Sequence, residues 1–255
     1  VSARLGVDLG ATWLRACLTQ DGREVWTARL PAVDWRRLPE VLPRMLRARG
    51  RPALASLTVG STRLGGAKGR AALTKALRPL AARVRVLPDY EIAHLATFGD
   101  GPGVVLVAST GSAAFALGAG GRSARAGGYG PLLGDEGSGF WLGREAARDE
   151  KIRRALRLPH PLDLAHEDDP VRATAALAPR VLRGSRRLRE AAAAHLAALA
   201  AATARDARLT KPVPLALHGS LFKDAALRRT VLRRLGRGWD VREPRVSAER
   251  AAAGL

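Results

Sequence analysis

A single cysteine, Cys17, leaves the 255-residue chain with no disulfide framework and no cysteine-ligated cluster of its own. Long hydrophobic runs are also missing. The apolar stretches at residues 103–108 and 191–202 are too short or too interrupted for a span of about 20 residues. The opening Val1-Ser2-Ala3-Arg4-Leu5-Gly6-Val7-Asp8 carries no basic-then-apolar segment before a cleavage site. Nothing there points to export, and the expectation is a cytoplasmic protein with no membrane partner. The five histidines are scattered, with no H-x₃-H spacing, which argues against a transition-metal site. No G-x-S-x-G elbow and no GKS or GKT phosphate loop occurs, which argues against α/β-hydrolases and P-loop NTPases.

Aromatic residues are few: five Trp, four Phe and two Tyr. They do not interleave with the basic clusters as stacking platforms for bases would. This bears on the net charge of +20, which comes from 43 Lys and Arg against 23 Asp and Glu. Lysine stands only at Lys68, Lys75, Lys151, Lys211 and Lys223, so the surplus is arginine spread among many alanines. Arginine on exposed helix faces accounts for that pattern, and no specific nucleic-acid partner is expected. An anionic small molecule such as a nucleotide fits the charge equally well. With 47% hydrophobic and 26% charged residues, the chain has the balance of an ordinary globular protein.

The pattern along the chain predicts an α/β fold. Residues 4–8, 13–19 and 24–30 alternate as three strands of a meander, with a turn at Asp8-Leu9-Gly10-Ala11-Thr12 and a hairpin signal at Gln20-Asp21-Gly22. A helix is expected over 35–49, with Leu38, Val41, Leu42, Met45 and Leu46 on one face. A strand at 53–59, a Gly-rich loop at 60–69, a helix at 71–82 and a strand at 84–87 follow. The order β-β-β-α-β-α-β then begins again. Strands are expected at 104–108, 113–118 and 122–126. A long helical stretch starts near Asp135-Glu136, with further helices at 170–182 and 186–208. A strand at 214–217, a helix at 222–235, a strand at 239–241 and an Ala-rich tail complete it. Two α/β domains of like build, residues 1–100 and 101–255, facing a cleft are the natural reading.

Five segments carry candidate chemistry. At Asp8-Leu9-Gly10-Ala11-Thr12, small residues let backbone N–H groups approach an anion, and Asp8 can hold Mg²⁺ through water. Ser109-Thr110-Gly111-Ser112 is a second tip of this kind, behind a fully apolar strand; the pair suits a polyphosphate held from two sides. In Gly127-Gly128-Tyr129-Gly130-Pro131-Leu132-Leu133-Gly134-Asp135-Glu136-Gly137-Ser138-Gly139, six of 13 positions are glycine. Asp135 there reads either as a helix cap or as an acceptor for ligand hydroxyls, and the mixture of Gly, Tyr and Pro-Leu-Leu favours the ligand. Asp89 follows a strand and opens a helix, where a cap is the local reading. Its place at a strand end, at the joint between the halves, makes it a candidate acceptor of a proton from an attacking hydroxyl. His218-Gly219-Ser220-Leu221-Phe222-Lys223 joins strand to helix and can border an adenine or ribose.

Taken together in order, these motifs resemble those of N-acetylglucosamine kinases and the related BadF/BadG-type ATPases, members of the actin-like ATPase superfamily. The resemblance runs over nearly the whole chain. It implies two duplicated actin-like, ribonuclease H-like domains closing over ATP. It further implies that Asp8 serves Mg²⁺, that Thr12, Thr110 and Gly111 serve phosphate, and that Gly219 and Ser220 border the adenosine. Ser112, Gly128, Tyr129, Gly130 and Asp135 would line a sugar pocket, and Asp89 would be the base for the sugar hydroxyl. The implied activity is ATP-dependent phosphorylation of N-acetylglucosamine or a related amino sugar or hexose, in a chain that is often a homodimer. This chain departs from the pattern at Pro31-Ala32-Val33-Asp34, where the kinases carry a sugar-contacting Asn, and at Ala113 and Trp13. Those departures leave a second reading, a non-catalytic nucleotide- or sugar-sensing protein. Cys17 lies inside an expected strand, which sets aside the iron–sulfur activators of CoA-linked dehydratases in the same group.

Overall fold

The computed structural model describes all residues except Val1, Ala11, Thr12, Thr62, Arg63 and Gly65. Its elements run β1 (Ala3–Leu9), β2 (Trp13–Gln20), β3 (Arg23–Pro31), α1 (Leu38–Met45), β4 (Leu54–Ser61), α2 (Ala67–Leu77), β5 (Ala81–Pro88) and α3 (Asp89–Phe98). They continue with β6 (Gly103–Ala108), β7 (Ser112–Leu117), β8 (Ser123–Gly127), α4 (Gly130–Leu133), α5 (Gly139–Arg148), α6 (Glu150–Ala155) and α7 (Pro161–Ala165). The chain closes with α8 (Pro170–Ala175), α9 (Ala178–Gly184), α10 (Arg186–Asp206), β9 (Val213–His218), α11 (Ala225–Leu235), β10 (Trp239–Val241) and α12 (Ala248–Ala253).

Two compact units form, one from Val1–Gly99 with Pro244–Leu255, the other from Asp100–Glu243. Each holds a five-stranded sheet, in the orders β3-β2-β1-β4-β5 and β10-β9-β6-β7-β8. The two orders describe one topology. In each, a meander of three antiparallel strands is extended from its first strand by two parallel ones. The α/β fold and its duplication, expected from the repeated strand order, are thus present.

In the first unit, β1 buries Leu5, Val7 and Leu9 alongside half-buried Arg4 and Asp8, and β4 buries Ser56, Thr58 and Ser61 beside Leu54, Leu57 and Val59. Leu5, Val7, Leu9, Leu57 and Val59 pack with Leu38 and Leu42 of α1 and Leu73 and Leu77 of α2. The last twelve residues belong to this unit, where the sequence reading had run the second domain to residue 255. Helix α12 lies across β1, close enough that a Cβ on Gly6 would stand 2.0 Å from the Glu249 carbonyl oxygen. Arg4 donates to the Gly254 carbonyl at 3.2 Å, and the backbone N–H of Arg245 donates to Ala96 at 2.8 Å.

In the second unit, β6 is buried along its whole length beneath α10, whose Leu188, Ala192, Leu196 and Ala200 join Leu106, Leu142, Val181 and Leu215 in one core. Two helix expectations are corrected. The run expected over 170–182 is broken into α8 and α9, because Pro179 is tolerated only in the first turn of α9 and not inside a continuous helix. The helix expected to start near Asp135 begins at Gly139 instead. Its cap is Ser138, whose hydroxyl accepts the Trp141 N–H at 3.1 Å.

Candidate active site

The first unit supplies two carboxylates at the C-terminal ends of its parallel strands. Asp8 is the second-last residue of β1, and the hairpin register sets Arg15 of β2 directly opposite. The guanidinium donates to Asp8 Oδ2 at 3.0 Å, and the Asp8 side chain is only 14% exposed. Burial pushes the Asp8 carboxyl above its usual range; Arg15 opposes that and Glu249 of α12 adds to it. Sequence reading missed Arg15. The signal was available in the pairing register of the hairpin, which fixes the residue across from Asp8.

Asp89 opens α3 immediately after β5. It does not cap the helix: Pro88 holds the cap position, and the Asp89 carboxylate accepts the Tyr90 N–H instead. Its neighbours in the sheet follow from register, since Ser61 of β4 pairs with Pro88 and Leu9 of β1 pairs with Ser61. Two strand spacings therefore separate β5 from β1. Burial raises the Asp89 carboxyl to about 6, and the charge of Asp8 adds to the rise. A carboxylate poised near neutrality is suited to taking a proton. Next to these ends lies a cavity of about 440 Å³, lined by Leu9, Val33, Asp34, Trp35, Arg36, Leu64 and Gly69. Asp34 is engaged there, accepting the Arg36 N–H at 2.8 Å and pairing with its guanidinium at 3.2 Å. Thr12 lies outside the described residues.

The second unit gathers five of its expected residues around one hairpin. The Ser112 N–H donates to Asp135 Oδ1 at 3.1 Å, the Ser112 hydroxyl donates to the Glu136 carbonyl at 2.8 Å, and the Gly128 N–H donates to the Ser112 carbonyl at 2.8 Å. Asp135 adopts φ 64°, and its carboxylate sits so close to Gly111 that a Cβ there would meet both oxygens at 2.9 Å. Burial raises the Asp135 carboxyl, with the Ser112 N–H opposing and Glu136 adding. Tyr129 and Gly130 continue the chain from Gly128. Tyr129 is 60% exposed, with the Arg125 guanidinium 5.4 Å from its ring centroid.

Thr110 is exposed at the tip between β6 and β7, and its carbonyl accepts the Phe140 N–H at 3.0 Å, tying the tip to the start of α5. Gly219 follows β9, whose His218 pairs with Val107 of β6. With φ 107° and an imagined Cβ 2.3 Å from the Ala108 carbonyl, this position excludes any side chain. Thr110, Gly111, Gly219 and Ser220 therefore lie at the same end of the second sheet.

Among the described residues no group of three or more His, Cys, Asp or Glu gathers into a metal cage. Asp8 offers a partly buried carboxylate with oxygen donors only, which fits Mg²⁺, an ion held through one or two carboxylates, water and phosphate oxygens. Cys17 is buried beside Glu24, and its thiol is pushed up to about 12, which makes it a poor ligand or nucleophile.

The chain matches no protein-family model. Over 66 residues it is 38% identical to the N-acetylmuramic acid/N-acetylglucosamine kinase of Clostridium acetobutylicum, a stretch that is 26% of this chain and 22% of that kinase. The chain thus matches about a fifth of the length of this curated relative. Solved structures resemble it from end to end. A candidate N-acetylglucosamine kinase from Chromobacterium violaceum superposes with a TM-score of 0.76 at 26% identity, covering 99% of this chain and 98% of that one. A second candidate N-acetylglucosamine kinase, from Porphyromonas gingivalis, gives 0.70 at 21% identity over 98% and 97% of the two chains. The ROK hexokinase of Thermus thermophilus gives 0.60 at 19% identity over 98% and 96%. The chain therefore has the α/β fold shared by actin-like ATPases and ROK sugar kinases along its whole length, and its likeness to N-acetylglucosamine kinases, first read from motifs, extends to solved structures.

Proposed function

We propose that this protein is an ATP- and Mg²⁺-dependent kinase that phosphorylates a hydroxyl of N-acetylglucosamine or a related amino sugar or hexose. The observation that carries the reading is Asp89: a carboxylate at the end of a parallel strand, raised to about 6 and flanked by a second carboxylate, Asp8, in the same unit. The end-to-end likeness to the Chromobacterium violaceum protein supports it.

In this reading Asp89 accepts the proton of the attacking sugar hydroxyl. The N–H of Tyr90 fixes the orientation of the carboxylate, so the base stays aimed as its charge changes. Asp8 holds the metal, and Arg15 fixes Asp8 in place through Oδ2. Bound Mg²⁺ neutralises charge on the transferred phosphoryl group. Thr12, four positions after Asp8 in the sequence, serves phosphate. On the second unit, Asp135 accepts sugar hydroxyls, held in position by the Ser112 N–H, with Gly128, Tyr129 and Gly130 forming the adjoining wall. Thr110 and Gly111 serve phosphate, and Gly219 and Ser220 border the nucleoside. Such a protein would act in the cytoplasm, with small molecules as partners, alone or as a homodimer. A coupled ADP-release assay over a panel of amino sugars and hexoses tests the proposal: sugar-dependent turnover is expected, and its absence with every sugar refutes the kinase reading.

One observation favours a second reading. Asp34 stands in the segment where the kinases carry their Asn, and its carboxylate is already spent on Arg36. A sensing protein that binds nucleotide or sugar without turnover would show tight binding in calorimetry and no ADP release.

A further inference from the structure

Strand register sets three charged side chains in one row across the first sheet. Asp8 of β1 lies opposite Arg15 of β2, and Arg15 lies opposite Arg29 of β3. Residues directly opposite share a face, so Asp8, Arg15 and Arg29 stand on the same side of the sheet. Two arginines facing each other across neighbouring strands repel, which costs the fold stability. Arg15 offsets that cost through Asp8 Oδ2 at 3.0 Å. Arg29 is held differently. Its guanidinium lies 3.8 Å from the centre of the Trp13 ring, and among the described residues no carboxylate pairs with it.

Trp13 fixes where that charge stands. It opens β2, two residues before Arg15 and on the same face. Its carbonyl accepts the Gly10 N–H at 3.0 Å, which closes the base of the turn after Asp8. The residue paired with Trp13 is Pro31, so Arg29 reaches along the sheet toward this turn to meet the ring. Stacking uses the flat face of a guanidinium and leaves its edge N–H groups free to donate. A half-buried ring with one face taken in this way is a poor platform for a base or a sugar ring.

The row carries both signs of charge. A carboxylate takes a cation, and a guanidinium edge takes anionic oxygens in pairs. A ligand of one sign alone leaves part of the row unmet, whereas a metal-bound phosphate satisfies both. We propose that Arg29, positioned by Trp13, binds the terminal phosphate of metal-bound ATP. The inference rests on the kinase reading, in which Asp8 serves the metal beside the transferred phosphoryl group, and it adds a residue to that site. Trp13 is one of the positions at which this chain departs from the kinase pattern, so the device belongs to this chain.

Calorimetry on the full chain with Mg²⁺ and no sugar gives the Kd for ATP and for ADP. R29Q should weaken ATP about tenfold or more and ADP threefold at most, through loss of charge-assisted bonds to the last phosphate. R29K keeps the charge without the planar edge, and its loss should be smaller. W13L should also weaken ATP, and R29Q/W13L should bind no worse than R29Q, because the ring acts only through the guanidinium. R23Q removes an exposed arginine from the far end of the same strand and should leave both constants within twofold. Thermal unfolding of each variant separates lost contacts from a damaged fold. ATP binding by folded R29Q at wild-type strength overturns the inference. So do equal losses for ATP and ADP, a loss in R23Q as large as in R29Q, or additive losses in the double variant. A wild type that binds neither nucleotide refutes the kinase reading as well, whereas nucleotide binding that ignores Arg29 refutes this inference alone.

Discussion

Replacing Asp89 by Asn should stop turnover and yet make the protein more stable at neutral pH. The fold raises this carboxyl from 3.8 to about 6, chiefly by burial. A raised acid pKa means that folding favours the neutral form, so the protonated group is the one at ease in the structure. Its contribution to stability is greatest below about pH 4 and declines as pH climbs through the interval from 3.8 to about 6. Above that interval the folded protein carries an ionised, desolvated carboxylate at a cost. At 1.36 kcal/mol per pKa unit, a rise of about two units sets an upper bound of about 3 kcal/mol. Asp89 is only partly buried, so screening brings this to roughly 1–2 kcal/mol. Asn removes the charge and retains an oxygen to accept the Tyr90 N–H.

Thermal unfolding of wild type and D89N at pH 4.5 and pH 8 reads this directly. At pH 8 the variant should melt higher by about 2–8 °C, taking roughly 2–4 °C per kcal/mol for a chain near this size. At pH 4.5 the gap should shrink sharply, since the wild-type carboxyl is then mostly protonated in the fold. Turnover should fall by about 10²–10⁴ if Asp89 is the general base, and wild-type activity should rise with pH along a limb centred near 6. A variant melting equally or lower at pH 8 would refute the claim of a desolvated carboxylate. Undiminished turnover would remove Asp89 from the chemistry whatever its stability shows.

Three further substitutions probe the rest of the frame. Gly6→Ala places a Cβ 2.0 Å from the Glu249 oxygen and 2.3 Å from the Ala253 nitrogen, both backbone, so α12 must be displaced; urea denaturation should show a loss of about 3 kcal/mol, and an unchanged midpoint would contradict the packing. Gly219→Ala drives a Cβ to 2.3 Å from the Ala108 oxygen at a φ of 107°, and calorimetry should find ATP affinity weakened at least tenfold, whereas full affinity would detach Gly219 from the nucleotide. Ser112→Ala deletes the 2.8 Å bond to the Glu136 carbonyl, worth about 1 kcal/mol, and loosens the loop that holds Asp135; the sugar KM should rise severalfold with kcat less affected, and the opposite split would assign Ser112 to the chemical step.

Much of this architecture was legible in the residues. The meander of β1–β3 was readable because apolar and polar positions alternate and Gln20-Asp21-Gly22 turns the chain, and β6 because six apolar positions in a row suit a strand covered on both faces. Helix boundaries were less legible where a local signal competed with a stronger neighbour. Pro179 marks a break that hydrophobic spacing alone passes over. Asp135 offers a plausible cap three residues before Ser138, but only the later residue has the extended backbone a cap needs. The docking of α12 was not legible at all. Its alanines carry no distinctive pattern, and the decisive feature is the missing side chain at Gly6, more than 240 residues away.

The same contrast separates Asp135 from a structural cap and is consistent with the ligand-facing role proposed for it. A capping carboxylate turns toward the N–H groups of its own helix. Asp135 instead takes a left-handed backbone conformation that points it away from α5, toward the Ser112 N–H and the bare backbone of Gly111. That conformation is uncommon outside glycine, Asp and Asn, and burial makes the ionised form of the carboxyl more costly. The carboxylate also serves the fold by accepting the buried Ser112 N–H, a bond that Gly at this position would delete. In the proposed function this carboxylate, fixed beside the side-chain-free tip of Gly111, is the group that sugar hydroxyls meet.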